Sequence, residues 1–430
     1  MDSVVSMLKQ SLAKRAVKES VLFSLSSVFF QGSKFSTFLL AAKLLGPEIY
    51  GLWNGIVLIL MYGPNIHLGV LNALNREIPY QEGAGNHEKV VVLRNTGAGV
   101  VFVTAVPLSL SVFCISFLPW IDHPLDVGLR YVAVILFFQY FYIFQQMLLR
   151  SHGLFSLMSI QQVLYSIATI LIILPATYYF KFDGFLGGQI IVLIVTLLFL
   201  RGHNAIKVKP RFLWVDIFPL IKIGFPIMMV SLAYSLLQSI DRLFIVKYLG
   251  KVELGYYTLS IMATGILTLF PMVVGQVVYP RMARKFGKTR RIEDLKPLIY
   301  TPTVHLLWSM AVLLTAVYFF APFLVETFLP EYARGLDALR ITIFGLLFLS
   351  LVGGFANFLN TVGLQKTYLA TLTIAITIGI ALNYASMMYG YGIEGIAAAT
   401  SITYFLYLLI IMGVSFKAMG SGDFKSRMDG

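Results

Sequence analysis

Apolar stretches of about twenty residues recur from one end of this 430-residue chain to the other. A bilayer core takes about 20 apolar residues of helix to cross. No gap between the stretches is long enough for a soluble domain. Twelve spans are expected, at about 20–44, 52–76, 92–118, 129–150, 156–180, 185–202, 219–248, 255–280, 298–325, 335–362, 367–389 and 393–416. Backbone in hydrocarbon must satisfy its own hydrogen bonds, so these are predicted to be helices. The alternating ten-residue strands of a membrane barrel are absent. Composition agrees: 58% of the residues are hydrophobic and 12% charged, against about 25% charged in soluble domains.

Lysine and arginine set the orientation. With a cytoplasmic N-terminus, 24 of the 33 fall in inner segments and six in outer loops, while Lys34, Arg242 and Arg340 lie inside spans. That asymmetry places both termini in the cytoplasm. The net charge of +13 is then mostly topological. The run "RMARKFGKTRR" sits at a helix exit facing anionic lipid, so no nucleic-acid partner is expected. The first 19 residues, with Lys9, Lys14, Arg15 and Lys18, resemble an interfacial helix rather than a cleavable signal. One cysteine, Cys114, permits no intrachain disulfide. No metal-ligand cluster is present in the sequence, and no cofactor is expected.

The chain repeats itself. "KLLGPEIYGLW" (43–53) returns as "KYLGKVELGYY" (247–257), with Lys43/Lys247, Leu45/Leu249, Gly46/Gly250 and Gly51/Gly255 in register. The copies follow spans one and seven. Six spans separate them, so both halves enter from the same side, as parallel repeats do. Gly46 and Gly250 suit a left-handed helix end, and Gly51 and Gly255 are expected to restart the chain. Weaker matches relate "RSHGL" (150–154) to "NTVGL" (360–364), and Gly184 to Gly392. The expected architecture is an all-α membrane protein: twelve transmembrane helices in two parallel six-helix repeats around a central cavity. Its parts are an interfacial helix (1–19), an N-terminal lobe (20–204), a cytoplasmic linker (205–218), a C-terminal lobe (219–416) and a cytoplasmic tail (417–430).

Polar side chains inside spans mark the candidate site, because hydrocarbon tolerates them poorly. Span one carries Ser24, Ser27, Gln31 and Lys34 on one face, and span seven carries Ser231, Ser235, Gln238 and Arg242. Span two bends at Gly63-Pro64 and presents Asn65, His67, Asn72 and Arg76. Span four carries Gln139, Tyr142, Gln146 and Arg150. Spans eight and ten add Gln276, Asn357 and Asn360. Lys34 is too deep to snorkel. Asp241, the one acid clearly inside a span, is a partner for Lys34 or Arg242 or a site of ion coupling. Arg76 and Arg150, at cytoplasmic edges, either snorkel to lipid phosphates or catch phosphates of a substrate, which guanidinium matches in a fork. His67 is either a packing residue or part of the polar face.

The stretches "LLGPEIYGLWNGI" and "HLGVLNALNREIPYQEG" resemble the start of polysaccharide (O-antigen-type) flippases, in the multidrug/oligosaccharidyl-lipid/polysaccharide exporter superfamily. The resemblance covers essentially the whole chain. It implies translocation of a polyprenyl-(pyro)phosphate-linked oligosaccharide across the inner membrane by alternating access, with no catalysis. It also implies a lipid-linked glycan and membrane lipids as partners, with a glycan polymerase or glycosyltransferases as candidate protein partners. Three other readings remain: a multidrug or cation antiporter of the same superfamily, a membrane-embedded glycan polymerase or ligase, and a lipid scramblase. The short outer loops, without paired carboxylates or a Ser/His/Asp set, count against the enzyme.

Overall fold

A computed structural model describes residues 2–204 and 207–420, with side chains from Leu22 onward except Ser24 and Pro280. Most of the proposed tail and the start of the proposed linker lie outside the described residues. The described residues are almost all helical, with no strand among them. They divide into two compact units: residues 1–45 with 56–229, and residues 46–55 with 230–430.

The helices of the first unit are α1 (Asp2–Tyr62) apart from its residues 46–55, α2 (Val70–Gly83), α3 (His87–Ile115), α4 (Leu125–Ser151), α5 (Phe155–Ala168) and α6 (Leu174–Phe199), with the start of α7 (Trp214–Leu237). The second holds α8 (Ile240–Tyr248), α9 (Lys251–Tyr256), α10 (Thr258–Leu267), α11 (Leu269–Thr289), α12 (Lys296–Phe328), α13 (Leu336–Thr361), α14 (Gln365–Met388) and α15 (Gly392–Gly420). Ten stretches among the described residues are long and apolar enough to cross a membrane. Two of them, Leu25–His67 with 43 residues and Phe155–Phe199 with 45, are twice the usual length of a crossing.

Both double-length stretches break inside. In the first, Gly46 adopts φ 74°, ψ 168°, and its counterpart Gly250 adopts φ 88°, ψ −179°. Both occupy the positive-φ extended region that only glycine enters cheaply. The expected left-handed helix end is therefore replaced by a sharper reversal. In the second stretch, Lys181 carries the break (φ 52°, ψ −124°). Beyond it the chain doubles back. A Cβ at Gly184 would fall on the Ala176 carbonyl, and one at Gly188 would lie 3.1 Å from the Ile173 Cα. Two glycines four residues apart thus let two helix backbones touch, as small residues do between membrane helices. Gly392 has a positive φ of 62° and Gly184 none, so that pair of glycines plays two different parts.

The match between "RSHGL" and "NTVGL" holds in the structure. Gly153 (φ 66°) and Gly363 (φ 81°) follow the ends of α4 and α13. Leu154 N–H donates to the Leu149 carbonyl (2.9 Å) and Leu364 N–H to the Leu359 carbonyl (2.8 Å). Both are Schellman ends, which satisfy otherwise orphaned carbonyls. The two helices they close are the central ones of their units. α4 touches α2, α3, α5 and α6, and α13 touches α10, α11, α12, α14 and α15.

The two copies of the glycine motif meet within the second unit. A Cβ at Gly51 would strike the Lys251 carbonyl, and one at Gly255 would strike the Pro47 carbonyl. The contact is reciprocal, since Lys251 and Gly255 occupy the places in the second copy that Pro47 and Gly51 occupy in the first. One turn further, the Asn54 side-chain amide donates to the Thr258 hydroxyl at 2.7 Å. Lys251 also pairs with Glu48 at 2.8 Å. Gly51 and Gly255 are therefore points of backbone contact rather than helix starts.

In the first unit, Gly69 (φ 84°) and Gly224 meet in the same manner, each Cβ position blocked by the other's backbone. The segment after Asn204 runs along α3. Lys209 N–H donates to the Asn95 side-chain oxygen and Arg211 N–H to the Asn95 carbonyl, both at 2.9 Å.

Candidate substrate site

The first unit gathers polar and aromatic side chains around Lys34. The residues of α1 that share its face include Ser26, Ser27, Phe30 and Lys34. Lys34 Nζ lies 5.1 Å from the centre of the Phe30 ring and 5.8 Å from that of Tyr165. Tyr165 packs on Phe30 at 5.1 Å and on Tyr142 at 5.6 Å. Among the described residues no carboxylate lies within 4 Å of this lysine, so its charge rests on ring faces, which attract cations electrostatically.

A glutamine network lies beside it. Ser26 and Ser27 hydroxyls donate to Gln162 Oε1 at 2.9 and 3.1 Å. Gln146 Nε2 donates to Gln161 Oε1. Gln161 in turn donates to Gln145 Oε1 (3.0 Å) and to the Thr196 carbonyl (3.4 Å). Gln161 is fully buried, and a buried amide without such partners would be costly. Gln31 is half-buried on the same helix as Lys34.

The bend expected in span two is present. Residues Gly63–His67 form a 3-10 turn, and Leu68 and Gly69 both take positive φ. Gly69 N–H donates to His67 Nδ1 at 2.9 Å. His67 is thereby a buried packing group that helps hold the break. Asn65 donates back to the Met61 and Tyr62 carbonyls, at 3.3 and 3.2 Å. It ties off the helix end with its donors. The Tyr140 hydroxyl donates to the Gly63 carbonyl at 2.8 Å and Gln139 to that of Leu60 at 3.3 Å. Asn72 is half-buried, whereas Arg76 and Arg150 are exposed. Arg76 lies 4.0 Å from Glu77. Near Arg150, His152 pairs with Glu82.

The second unit has its own polar centre. The α7 helix ends at Leu237, so Ser231 and Ser235 on α7 are separated from Asp241 and Arg242 on α8 by a turn that contains Gln238. Asp241 is buried. Its Oδ1 accepts the Arg242 backbone N–H at 2.8 Å and its Oδ2 accepts the Tyr257 hydroxyl at 2.9 Å. No Lys or Arg side chain among the described residues stands within 4 Å of this carboxylate. Within this unit the carboxylate is held by two neutral donors rather than by the Arg242 guanidinium. Tyr257, Tyr404 and Tyr407 are fully buried in the same unit, and Gln238 is hydrogen-bonded to Tyr234. Asn357 on α13 donates to the Gly275 carbonyl on α11 at 3.4 Å, which places it beside the backbone of Gln276. The Gln276 side chain is itself exposed, and Asn360, a turn further along α13, is half-buried.

Sequence reasoning missed Gln161, Gln162 and Tyr165 in the first unit, and Tyr257, Tyr404 and Tyr407 in the second. The tandem glutamine near the start of the fifth span was the available signal. Among the described residues no group of three or more His, Cys, Asp or Glu could hold a metal ion.

The profile of the family described as polysaccharide biosynthesis protein matches residues 16–286, more than half of the chain. The chain belongs to the polysaccharide biosynthesis protein family. It is a multi-pass membrane protein. The MatE profile matches residues 226–385. No curated protein sequence matches the chain. Among solved structures, an inward-facing multidrug resistance MATE family transporter of the MOP superfamily is similar, with a TM-score of 0.76 and 14% identity over 96% of this chain and 99% of that one. Lipid II flippase MurJ in its inward closed conformation gives 0.71 and 16%, over 92% and 87%. A point mutant of the Vibrio cholerae MATE transporter VcmN gives 0.67 and 16%, over 96% and 98%. The fold is that of these proteins.

Proposed function

We propose that this protein is a flippase, moving a polyprenyl-(pyro)phosphate-linked oligosaccharide across the inner membrane by alternating access and catalysing no reaction. The observation that carries the reading is Lys34. It is a cation deep in a span, set on aromatic faces, with no carboxylate within 4 Å among the described residues. A charge so placed lowers the barrier to taking a phosphate through hydrocarbon. Membership in a polysaccharide biosynthesis family supports the glycan, and the name of lipid II flippase MurJ supports a lipid-linked cargo.

The double-length stretches, each read as two crossings, turn ten spans into twelve. The proposal keeps the lobe, linker and tail boundaries read from the sequence, with the halves as parallel repeats and both termini cytoplasmic. The reciprocal glycine contact and the paired Schellman ends support the repeat. In this reading Arg76 and Arg150, both exposed, meet the headgroup phosphates at the cytoplasmic mouth. Lys34 and Arg242 hold them deeper. Gln31, Asn65, Asn72, Gln146, Gln238, Gln276, Asn357 and Asn360 supply polar contacts to sugars, and the prenyl tail stays in lipid. Glycan polymerases or glycosyltransferases are the natural neighbours of such an activity.

One observation favours a second reading, a cation antiporter. Asp241 is a buried acid, and the inward-facing MATE neighbour is a multidrug resistance transporter. In the flippase reading the same residue is the site of ion coupling. The experiment that tests the proposal is loss of the gene in its native strain. Lipid-linked glycan should accumulate on the inner leaflet and be cleared by the wild-type chain but not by Lys34→Ala. Drug sensitivity without glycan accumulation would instead select the antiporter.

A further inference from the structure

Between Lys366 and Lys417 the chain carries a single charged residue, Glu394. It sits in the first turn of α15, directly after the turn that leaves α14. No Lys, Arg or His side chain lies within 4 Å of its carboxylate among the described residues. A helix start favours an acid through its dipole, yet it explains nothing else about the surroundings. Glu394 stands at the mouth of a cleft of about 440 Å³ between α14 and α15.

The mouth is flanked by Tyr389 and Tyr391. Their rings are 5.9 Å apart at 33°, and the residues are 75% and 63% exposed. The floor is made of small residues. Gly395 presses so closely on Ser386 and Tyr391 that a Cβ would strike both. Further in, Leu382 and Ile402 give the cleft apolar walls.

An uncompensated carboxylate beside two exposed aromatic rings recognises an organic ammonium, through a charge-assisted hydrogen bond and cation–π attraction. An apolar cleft leading away from it suits a hydrocarbon chain. We infer that the α14–α15 cleft binds an aminophospholipid, with its primary ammonium at Glu394, Tyr389 and Tyr391 and one acyl chain along Leu382 and Ile402. This site is independent of the substrate proposed above. It would be present whichever cargo the protein carries.

The test is native mass spectrometry of the full-length protein in detergent, titrated with dioleoyl phosphatidylethanolamine and, separately, dioleoyl phosphatidylglycerol. The wild type should retain the ethanolamine lipid about tenfold more tightly, the scale of one charge-assisted hydrogen bond. Glu394→Gln should abolish the difference, and Glu394→Asp should keep part of it. Ala398→Leu, which fills the cleft while leaving the carboxylate in place, should weaken retention of both lipids. Thermal unfolding without added lipid checks that each variant is folded. Equal retention of the two lipids by the wild type, or a preference that survives Glu394→Gln, overturns the inference. So does a second copy of the chain that occupies the cleft in the wild type and is released by Ala398→Leu.

Discussion

The reciprocal contact between the two glycine motifs makes a sharp quantitative test. In Gly51→Ala the new Cβ would lie 2.6 Å from Gly255 N and 2.9 Å from Gly255 Cα, and closer still to the Lys251 carbonyl. Ordinary contact begins at 3.4 Å, so the 2.6 Å approach alone requires the facing backbone to retreat by about 0.8 Å. Nothing flexible is available to absorb that movement, because the obstruction is backbone. Overpacking of this kind costs roughly 1–3 kcal/mol, offset by about 1 kcal/mol of helix propensity. The net expectation is a loss of about 1–2 kcal/mol, enlarged by any strain on the neighbouring Asn54–Thr258 hydrogen bond. Gly265→Ala is the control. It lies on α10 in the same unit, with nothing within 4 Å of its Cβ position, and should be neutral or stabilised by up to about 1 kcal/mol. Equilibrium unfolding in mixed detergent–SDS micelles compares the two directly. Gly255→Ala should match Gly51→Ala. The double variant should cost less than the sum, since a crossing already opened admits the second methyl group more easily. If Gly51→Ala proves as stable as Gly265→Ala, the backbone contact is not there and the account of the repeated motif fails.

Further outcomes follow from the two polar centres. Lys34→Ala should cut glycan export by about tenfold or more, on the scale of one charge-assisted contact, while the folded protein reaches the membrane at wild-type level, as immunoblotting of membranes would show. Asp241→Asn preserves an acceptor for the Tyr257 hydroxyl and should unfold within about 1 kcal/mol of wild type, yet it should lose ion-dependent transport in proteoliposomes. Asp241→Ala removes the acceptor and should also be destabilised, by about 1–3 kcal/mol. Gln161→Leu strips Gln145 and Gln146 of their shared partner. In SDS unfolding it should lose about 1–3 kcal/mol as well, whereas Gln31→Leu, half-buried on α1, should shift stability little.

Much of the helical layout was legible because the bilayer fixes the length of an apolar run and forbids unsatisfied backbone within it. The breaks were legible where glycine or proline marked them, as at Gly46, Gly63-Pro64 and Gly250. The break at Lys181 falls in the gap between the spans expected at 156–180 and 185–202, but the sequence did not show what holds it. It is held by what packs on the far side, the contact of Gly184 and Gly188 with Ala176 and Ile173. The site was legible only in part for the same reason. Helical spacing showed that Ser27, Gln31 and Lys34 share a face, but not that Tyr165 and Gln162, far away in the chain, would stand opposite. Nor could spacing show that Asp241 meets a tyrosine 16 residues on rather than a cation, because α7 and α8 are broken between Leu237 and Ile240.

The sign of the charge left uncompensated is what separates the two functional readings. A carboxylate meant to hold a cationic drug should be left short of donors, so that the cargo completes it. Asp241 is not in that condition, for its oxygens already accept hydrogen bonds at 2.8 and 2.9 Å. Such an acid can exchange a proton or small ion at the expense of those bonds, but a bulky cation would have to displace Tyr257 from a fully buried position. Lys34 is in the opposite state. Its ammonium has ring faces beside it, worth about 0.5–2 kcal/mol, which is less than the desolvation of an ammonium in hydrocarbon. A phosphate would supply the remainder, and a cationic cargo would aggravate the deficit. On this ground we propose an anionic substrate for the first unit and a coupling role for Asp241 in the second, to be decided by the Lys34 and Asp241 variants above.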